Sequence, residues 1–232
     1  MEPHAIRFPA RRARDVELDG QLLGSGARAC VLSHPHPLAG GDMDHPVVVG
    51  LWRAAAAAGL RSLRYNFRGV GASTGALTHR SPLATDDLAG AIDFLGGGPL
   101  LAIGYSYGAR TTLHAILAGA PIERAVLVAL PTRLPANRTA MTNLLLGRRI
   151  REEEYRDTPD LDLVGTAKTP LLVIAGAQDP LVERGELEAR GVPAEILPGL
   201  NHFFSRRLGN QPAADADLAD LGARAVSFLL GN

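Results

Sequence analysis

The chain has 232 residues, a length that suits one α/β domain and is short for two. Apolar residues make up 46% of the chain, which excludes an intrinsically disordered protein. The 24 basic residues balance the 24 acidic ones, which removes the electrostatic case for a nucleic-acid partner or a polybasic membrane protein.

Short apolar runs alternate with helical patterns along the chain, which predicts an α/β fold with a mainly parallel sheet and helices on both faces. An alternation over residues 15–23 around the turn dipeptide Asp19-Gly20 predicts an opening hairpin. The predicted strands are then 29–33, 61–67, 100–105, 125–130, 171–175 and 194–197. The predicted helices are 46–59, 83–95, 107–118 and 212–230. Asp86 and Asp87 lie in the first turn of helix 83–95, a placement that explains them without a catalytic role.

Residues 131–170 are the one long interruption of this alternation. The segment has helix-forming patches between residues 141 and 156 and no strand signal. Because a structureless loop of this length is unusual, we predict a small helical insertion or lid within a single domain, residues 1–232.

Cysteine usage and the absence of membrane or secretory patterns indicate the compartment. The single cysteine, Cys30, excludes an intrachain disulfide. No window approaches the roughly 18 consecutive apolar residues of a membrane span, and residues 1–17 lack the apolar run of a secretory signal. We therefore expect a cytoplasmic protein with no membrane partner.

The strongest local signal is Gly104-Tyr105-Ser106-Tyr107-Gly108, a G-x-S-x-G pattern between a predicted strand and a predicted helix. A sharp strand-to-helix turn brings its backbone against neighbouring chain, so small residues are needed two positions on either side of the central serine. Such a turn pushes the serine out of the sheet edge into a cleft. Ser106 is therefore the candidate nucleophile.

A serine hydroxyl needs a base to take its proton, and the base needs a carboxylate to orient it. His202 follows the last predicted strand, and Asp179 follows the strand 171–175. Both belong at the carboxyl end of the sheet, where ligands collect in open α/β folds. The chain order Ser106, Asp179, His202 is that of one hydrolase architecture.

Two backbone N–H donors are needed where negative charge develops on the substrate. One is expected from Tyr107, directly after the serine. The other is expected from the loop after strand 29–33, where Pro35 and Pro37 have no N–H, and we favour His36 over His34. Metal binding is the competing hypothesis for this loop, because Asp42, Asp44 and His45 lie close by in sequence; the spacing matches no zinc pattern.

The turn at residues 104–108 is called the elbow below. Two further segments belong to the same pattern: His34-Pro35-His36-Pro37 with Gly40-Gly41, and the run YNFRGVGAS at residues 65–73. Together with the elbow, the Gln178-Asp179-Pro180 segment and the run NHFF at residues 201–204, they resemble the α/β-hydrolase superfamily. The likeness is to small bacterial hydrolases related to the dienelactone-hydrolase and serine-peptidase branches, and it spans about residues 15–230. Two positions depart from that pattern: His45 stands where asparagine is frequent, and Ala109 where glycine is.

The resemblance implies Ser106 as nucleophile, Asp179 as acid, His202 as base, and the N–H groups of Tyr107 and the His36 region as oxyanion donors. It implies cleavage of a small acyl substrate, an ester or thioester, with no metal and no organic cofactor. Two alternatives remain. One is a non-catalytic hydrolase-fold protein that binds a ligand or partner. The other is a short-peptide peptidase, which needs a charged group to hold peptide termini; Arg68, Arg133 and Arg138 are the candidates. A homodimer formed through the insertion is also open.

Overall fold

The computed structural model describes residues 2–77, 81–145, 148, 150–158, 160–207, 211 and 213–232. Its strands are β1 (His4–Pro9), β2 (Glu17–Leu23), β3 (Ala29–Ser33), β4 (Arg61–Tyr65), β5 (Leu100–Tyr105), β6 (Ile122–Val128), β7 (Arg133–Pro135), β8 (Tyr155–Asp157), β9 (Leu171–Gly176) and β10 (Ala194–Leu197). Its helices are α1 (Pro46–Ala57), α2 (Ser81–Phe94), α3 (Tyr107–Leu117), α4 (Arg138–Leu145), α5 (Asp160–Val164), α6 (Arg184–Ala189) and α7 (Asp215–Leu230). The start of the last predicted helix, at Pro212, lies outside the described residues.

The central sheet has the order β1-β2-β4-β3-β5-β6-β9-β10. Strand β2 is antiparallel to both β1 and β4, whereas β4, β3, β5, β6, β9 and β10 pair in parallel. The predicted mainly parallel sheet is confirmed. Because the parallel strands all end at one edge, the loops that follow β3, β5, β9 and β10 meet there.

Apolar side chains fill both faces of the sheet. One face is covered by α2 and α3 through residues such as Leu88 and Leu113, and the other by α1 and α7 through Leu51 and Leu221. All six residues of β5, the strand that leads to Ser106, are buried. This two-sided burial confirms the prediction of helices on both faces and makes β5 a rigid support for the residue that follows it.

The predicted hairpin turn at Asp19-Gly20 is wrong. Both residues lie inside β2, and the chain reverses between β1 and β2 instead. Gly20 serves close packing, since a Cβ there would lie 3.0 Å from the carbonyl oxygen of Arg64 on β4. Asp19 accepts a hydrogen bond from the side-chain amide of Asn66 at 3.1 Å, so a turn-forming dipeptide is held extended by its neighbours in space.

The 131–170 segment contains both helices and strands. Helices α4 and α5 lie within it, while β7 and β8 form a separate two-stranded antiparallel sheet. Three residues per strand are too few to produce a readable alternation, which is why the sequence gives no signal for them. The segment contacts the loop after β9: Thr132 donates its backbone N–H to the carbonyl of Leu181 at 2.9 Å.

Helix α2 begins at Ser81, two residues before the predicted start, so Asp86 and Asp87 lie in its second turn rather than its first. No helix among the described residues is long and apolar enough to cross a lipid bilayer.

Candidate active site

Ser106 occupies the turn between β5 and α3, and its backbone is in the left-handed region, with φ 54° and ψ −110°. This conformation is unfavourable for a residue with a Cβ and persists only where the surroundings impose it. Here its N–H donates to the carbonyl of Val128 at 2.8 Å. The side chain is held at the carboxyl edge of the sheet, and the residue is 7% exposed.

The two glycines of the elbow are required by close backbone contacts. A Cβ on Gly104 would lie 2.3 Å from the carbonyl oxygen of Gly108. A Cβ on Gly108 would lie 2.1 Å from the carbonyl oxygen of Ser33 at the end of β3. The predicted need for small residues on either side of the serine is therefore met in this geometry. The second contact also brings the loop after β3 against the start of α3.

The structure brings the three residues of the predicted triad together. His202 Nε2 lies 3.0 Å from Ser106 Oγ, and His202 Nδ1 lies 2.7 Å from Asp179 Oδ2. An Nδ1–H that donates to the carboxylate leaves Nε2 as the acceptor that faces the serine hydroxyl. The arrangement is that of a nucleophile, a base and an orienting acid.

Asp179 is placed by its own turn after β9. Its side chain is fully buried, and its Oδ1 accepts the backbone N–H of Leu181 at 2.9 Å. That bond leaves Oδ2 for His202. The carboxylate therefore serves both the local turn and His202.

The loop that carries His202 approaches the loop after β9 very closely. A Cβ on Gly176 would lie 2.1 Å from the carbonyl oxygen of Leu200, so this position admits only glycine. Gln178 donates its N–H to the same carbonyl at 2.8 Å. Within the loop, Asn201 Oδ1 accepts the N–H groups of Phe203 and Ser205. These bonds set the position from which the imidazole reaches Ser106.

The two residues predicted as oxyanion donors also meet. The rings of His36 and Tyr107 lie 4.9 Å apart. Tyr107 is the first residue of α3, a position where the backbone N–H has no acceptor within the helix. This contact brings the side chains of the two residues together at the start of α3, and the donor role of their N–H groups stays a prediction.

His34, considered as a donor or metal ligand, is fully buried and has both ring nitrogens engaged. Nδ1 lies 2.7 Å from the carbonyl of Pro35, and Nε2 accepts the N–H of Phe67 at 3.0 Å. Burial lowers the pKa of His34 to about 3, so the ring is neutral. It joins the loop after β3 to the loop after β4. Among the described residues, no group of three metal-ligating side chains is assembled.

His45, one of the residues that suggested the metal-binding hypothesis, precedes α1 and caps it. Its Nδ1 accepts the N–H of Val47 at 3.3 Å, and its ring packs against Tyr105 with centroids 5.1 Å apart. Burial, together with the nearby His202, lowers the pKa of His45 to about 4. A histidine directly before a proline at the first helical position is a signal that could have indicated this cap.

Two of the three arginines proposed to hold peptide termini, Arg68 and Arg133, are engaged in other contacts. Arg68 is buried and donates through Nε to Asp87 at 2.8 Å, an ion pair that joins the loop after β4 to α2. Arg133 pairs with Glu152 and packs over the ring of Tyr155. The side chain of Arg138 lies outside the described residues. Met43, Tyr105 and Tyr107 are each at most 5% exposed.

Comparison with known proteins agrees with this architecture. No family model matches the chain. One curated relative, an uncharacterized protein of Rickettsia prowazekii, is 29% identical over 125 residues, and the chain spans about half the length of that relative, 52%.

Solved structures give the fold. An α/β serine hydrolase without a lid from Xanthomonas campestris matches 100% of this chain and 94% of its own, with a TM-score of 0.69 and 24% identity. Ferulic-acid-bound Est1E from Butyrivibrio proteoclasticus matches 98% of each chain, with a TM-score of 0.71 and 16% identity. Carboxylesterase CesB from Bacillus subtilis matches 100% and 93%, with a TM-score of 0.69 and 15% identity. The chain has the α/β-hydrolase fold.

Proposed function

We propose that the chain is a serine hydrolase that cleaves a small ester or thioester through an acyl-enzyme formed on Ser106. The observation that carries the proposal is the continuous hydrogen-bonded row from Ser106 Oγ to His202 Nε2 at 3.0 Å and from His202 Nδ1 to Asp179 Oδ2 at 2.7 Å. A protein that only binds a ligand does not need a hydroxyl, an imidazole and a carboxylate joined in one hydrogen-bonded row. Two structural neighbours, Est1E with bound ferulic acid and the carboxylesterase CesB, support an ester as the substrate class.

The proposed mechanism assigns one step to each of these groups. Ser106 Oγ attacks the acyl carbon while His202 Nε2 takes the hydroxyl proton, and Asp179 stabilises the imidazolium that forms. The oxygen of the tetrahedral intermediate accepts hydrogen bonds from the backbone N–H groups of Tyr107 and His36. The C–O or C–S bond then breaks, and the leaving group departs with the proton from His202. Water adds to the acyl-enzyme by the same steps and releases the acid. No metal or organic cofactor takes part.

The test is a panel of p-nitrophenyl esters of increasing acyl length, assayed with the wild type and Ser106→Ala. We expect the shortest acyl chains to be cleaved fastest, because Tyr105 and Tyr107, on either side of Ser106, are each at most 3% exposed. Ser106→Ala should lose at least ~10³-fold in kcat, the scale of losing one triad member. Its melting temperature, measured in parallel, serves as the folding control. Turnover by the variant at the wild-type rate would refute the assignment, and an inactive wild type would favour the binding alternative.

Location in the cytoplasm, a lid function of residues 131–170 and a homodimer stay predictions. Size-exclusion chromatography with light scattering tests the last of these.

A further inference from the structure

We infer that Tyr105 is a positioning residue for the base: its hydroxyl, by donating to the backbone carbonyl of His202, fixes the imidazole at the distance from Ser106 that proton transfer needs. This inference rests on the proposed hydrolase function. Tyr105 is the residue before the nucleophile, and its Oη lies 2.9 Å from the carbonyl oxygen of His202, 97 positions along the chain.

The hydrogen bond joins a rigid element to an irregular one. Tyr105 is the last residue of the fully buried strand β5 and is 1% exposed. His202 lies in a loop after β10 that has neither helix nor strand. Because Ser106 directly follows Tyr105, one strand end holds the nucleophile through the backbone and the base through the phenol. The separation of Nε2 and Oγ, 3.0 Å, is therefore set by a short path through adjacent residues.

Ring contacts reinforce the same arrangement. The Tyr105 ring lies 5.9 Å from the His202 ring and 6.3 Å from that of Phe204, centroid to centroid. Phe204 is fully buried, and its backbone has φ 55°, the left-handed region that a bulky residue rarely adopts. The His202 loop is thus held at the carbonyl by Tyr105, at the imidazole by Asp179 and at its far side by a buried aromatic ring.

Packing alone does not explain the hydroxyl. A phenylalanine would fill the same space, whereas a buried phenol costs desolvation free energy that a hydrogen bond offsets. Tyr105 Oη donates its hydrogen bond to the His202 carbonyl. Burial, and after it the charge of Asp179, raises the pKa of Tyr105 well above its usual range, so the hydroxyl keeps the proton that it donates.

The test is Tyr105→Phe, with Tyr65→Phe as the matched control. Tyr65 is also fully buried at the end of a strand, and its hydroxyl shares a hydrogen bond with Ser33 Oγ at 3.1 Å rather than with a triad residue. Each variant loses one buried hydrogen bond, so both should lose similar thermal stability. Only Tyr105→Phe should lower kcat, by about 5- to 10-fold, with KM changed less than about twofold, since a misplaced base affects the transition state rather than substrate binding.

A double-mutant cycle with His202→Ala distinguishes positioning from a general structural effect. Once His202 is absent, Tyr105→Phe should change the residual hydrolysis of p-nitrophenyl acetate by less than about twofold, because the two residues act as a unit. Rates are normalised to folded protein from near-UV circular dichroism, so a fall in activity that follows loss of folded protein counts against the inference.

Three results would overturn the inference about Tyr105. They are an unchanged kcat in Tyr105→Phe, an equal loss of kcat in Tyr65→Phe, or additive effects on kcat in the double-mutant cycle. Ser106→Ala, assayed in the same series, distinguishes a failure of the proposed hydrolase function from a failure of the proposed role of Tyr105. Wild-type turnover by that variant refutes the hydrolase assignment itself. An inactive Ser106→Ala beside a fully active Tyr105→Phe refutes only the role of Tyr105.

Discussion

At the residue scale, the histidines of this chain differ in function although they share one side chain. His202 lies between a carboxylate and a hydroxyl, whereas His34 bridges two backbone groups. The sequence distinguishes the roles of these two histidines only in part. His202 is indicated by its position after a strand, but His34 precedes the favoured His36 by two residues in the same loop. The acceptor role of His34 depends on Phe67, which comes close only when β3 and β4 pair.

Because His34 is buried and neutral, it makes stability depend on pH. In the unfolded chain a histidine binds a proton near its ordinary pKa of about 6.5, while folded His34 stays unprotonated down to about pH 3. Between these values the unfolded state binds more protons, so stability rises with pH and is lost as the pH falls through this window. His45, with a pKa of about 4, adds to the effect in the same direction.

We expect His34→Gln to reduce this pH dependence. Glutamine offers an acceptor to Phe67 but does not titrate, so the loss of unfolding free energy between pH 6.5 and pH 4.5 should shrink by up to about 1.4 kcal/mol per pH unit. Urea unfolding at several pH values measures it. His4→Gln, at an exposed position on β1, is the control and should leave the slope unchanged. An unaltered slope in His34→Gln would show that another group causes the acid sensitivity.

At the scale of elements, the nucleophile turn depends on two glycines whose hydrogens face backbone oxygen. Sequence predicted this requirement because the strand, the turn and the helix are contiguous. It mispredicted Asp19-Gly20 for the opposite reason. There the glycine is required by Arg64 on a strand more than 40 residues away, and a local pattern carries no record of that approach. Strands β7 and β8 were missed because each has three residues, too few for an alternation that the sequence could show.

Gly108→Ala should disrupt the elbow, since its Cβ would lie 2.1 Å from the carbonyl oxygen of Ser33. We expect a loss of at least about 2 kcal/mol in unfolding free energy, at the upper end for overpacked sites. Ester hydrolysis should fall with it, because Ser106 and Tyr107 must shift.

The matched control is Gly185→Ala in α6, where a Cβ would meet nothing within 4 Å. Alanine is the better helix former there, so stability should rise by up to about 1 kcal/mol. Thermal melts and a p-nitrophenyl ester assay on both variants decide the matter. A Gly108→Ala protein as stable and as active as the wild type would mean that the elbow tolerates a displacement that this geometry excludes.

At the scale of the whole molecule, the parallel sheet determines where the site forms. Ser106, Asp179 and His202 each follow a strand of the parallel region, and parallel strands present their carboxyl ends at one edge. That rule is why the sequence predicted the meeting of three residues up to 96 positions apart. The same rule could not predict the role of Tyr105, because the contact of its hydroxyl with His202 depends on the conformation of the loop after β10. The link from residues 131–170 to the loop after β9 likewise became visible only in three dimensions.

The central claim is that Ser106 is an activated nucleophile, and covalent labelling tests it most directly. The protein is incubated with a fluorophosphonate, and the adduct is located by peptide mass mapping. We predict one adduct per chain, on Ser106, and a rate of labelling at least ~10²-fold lower in His202→Ala, because the hydroxyl then has no base. An unlabelled wild type, or an adduct on a different residue, would contradict the account.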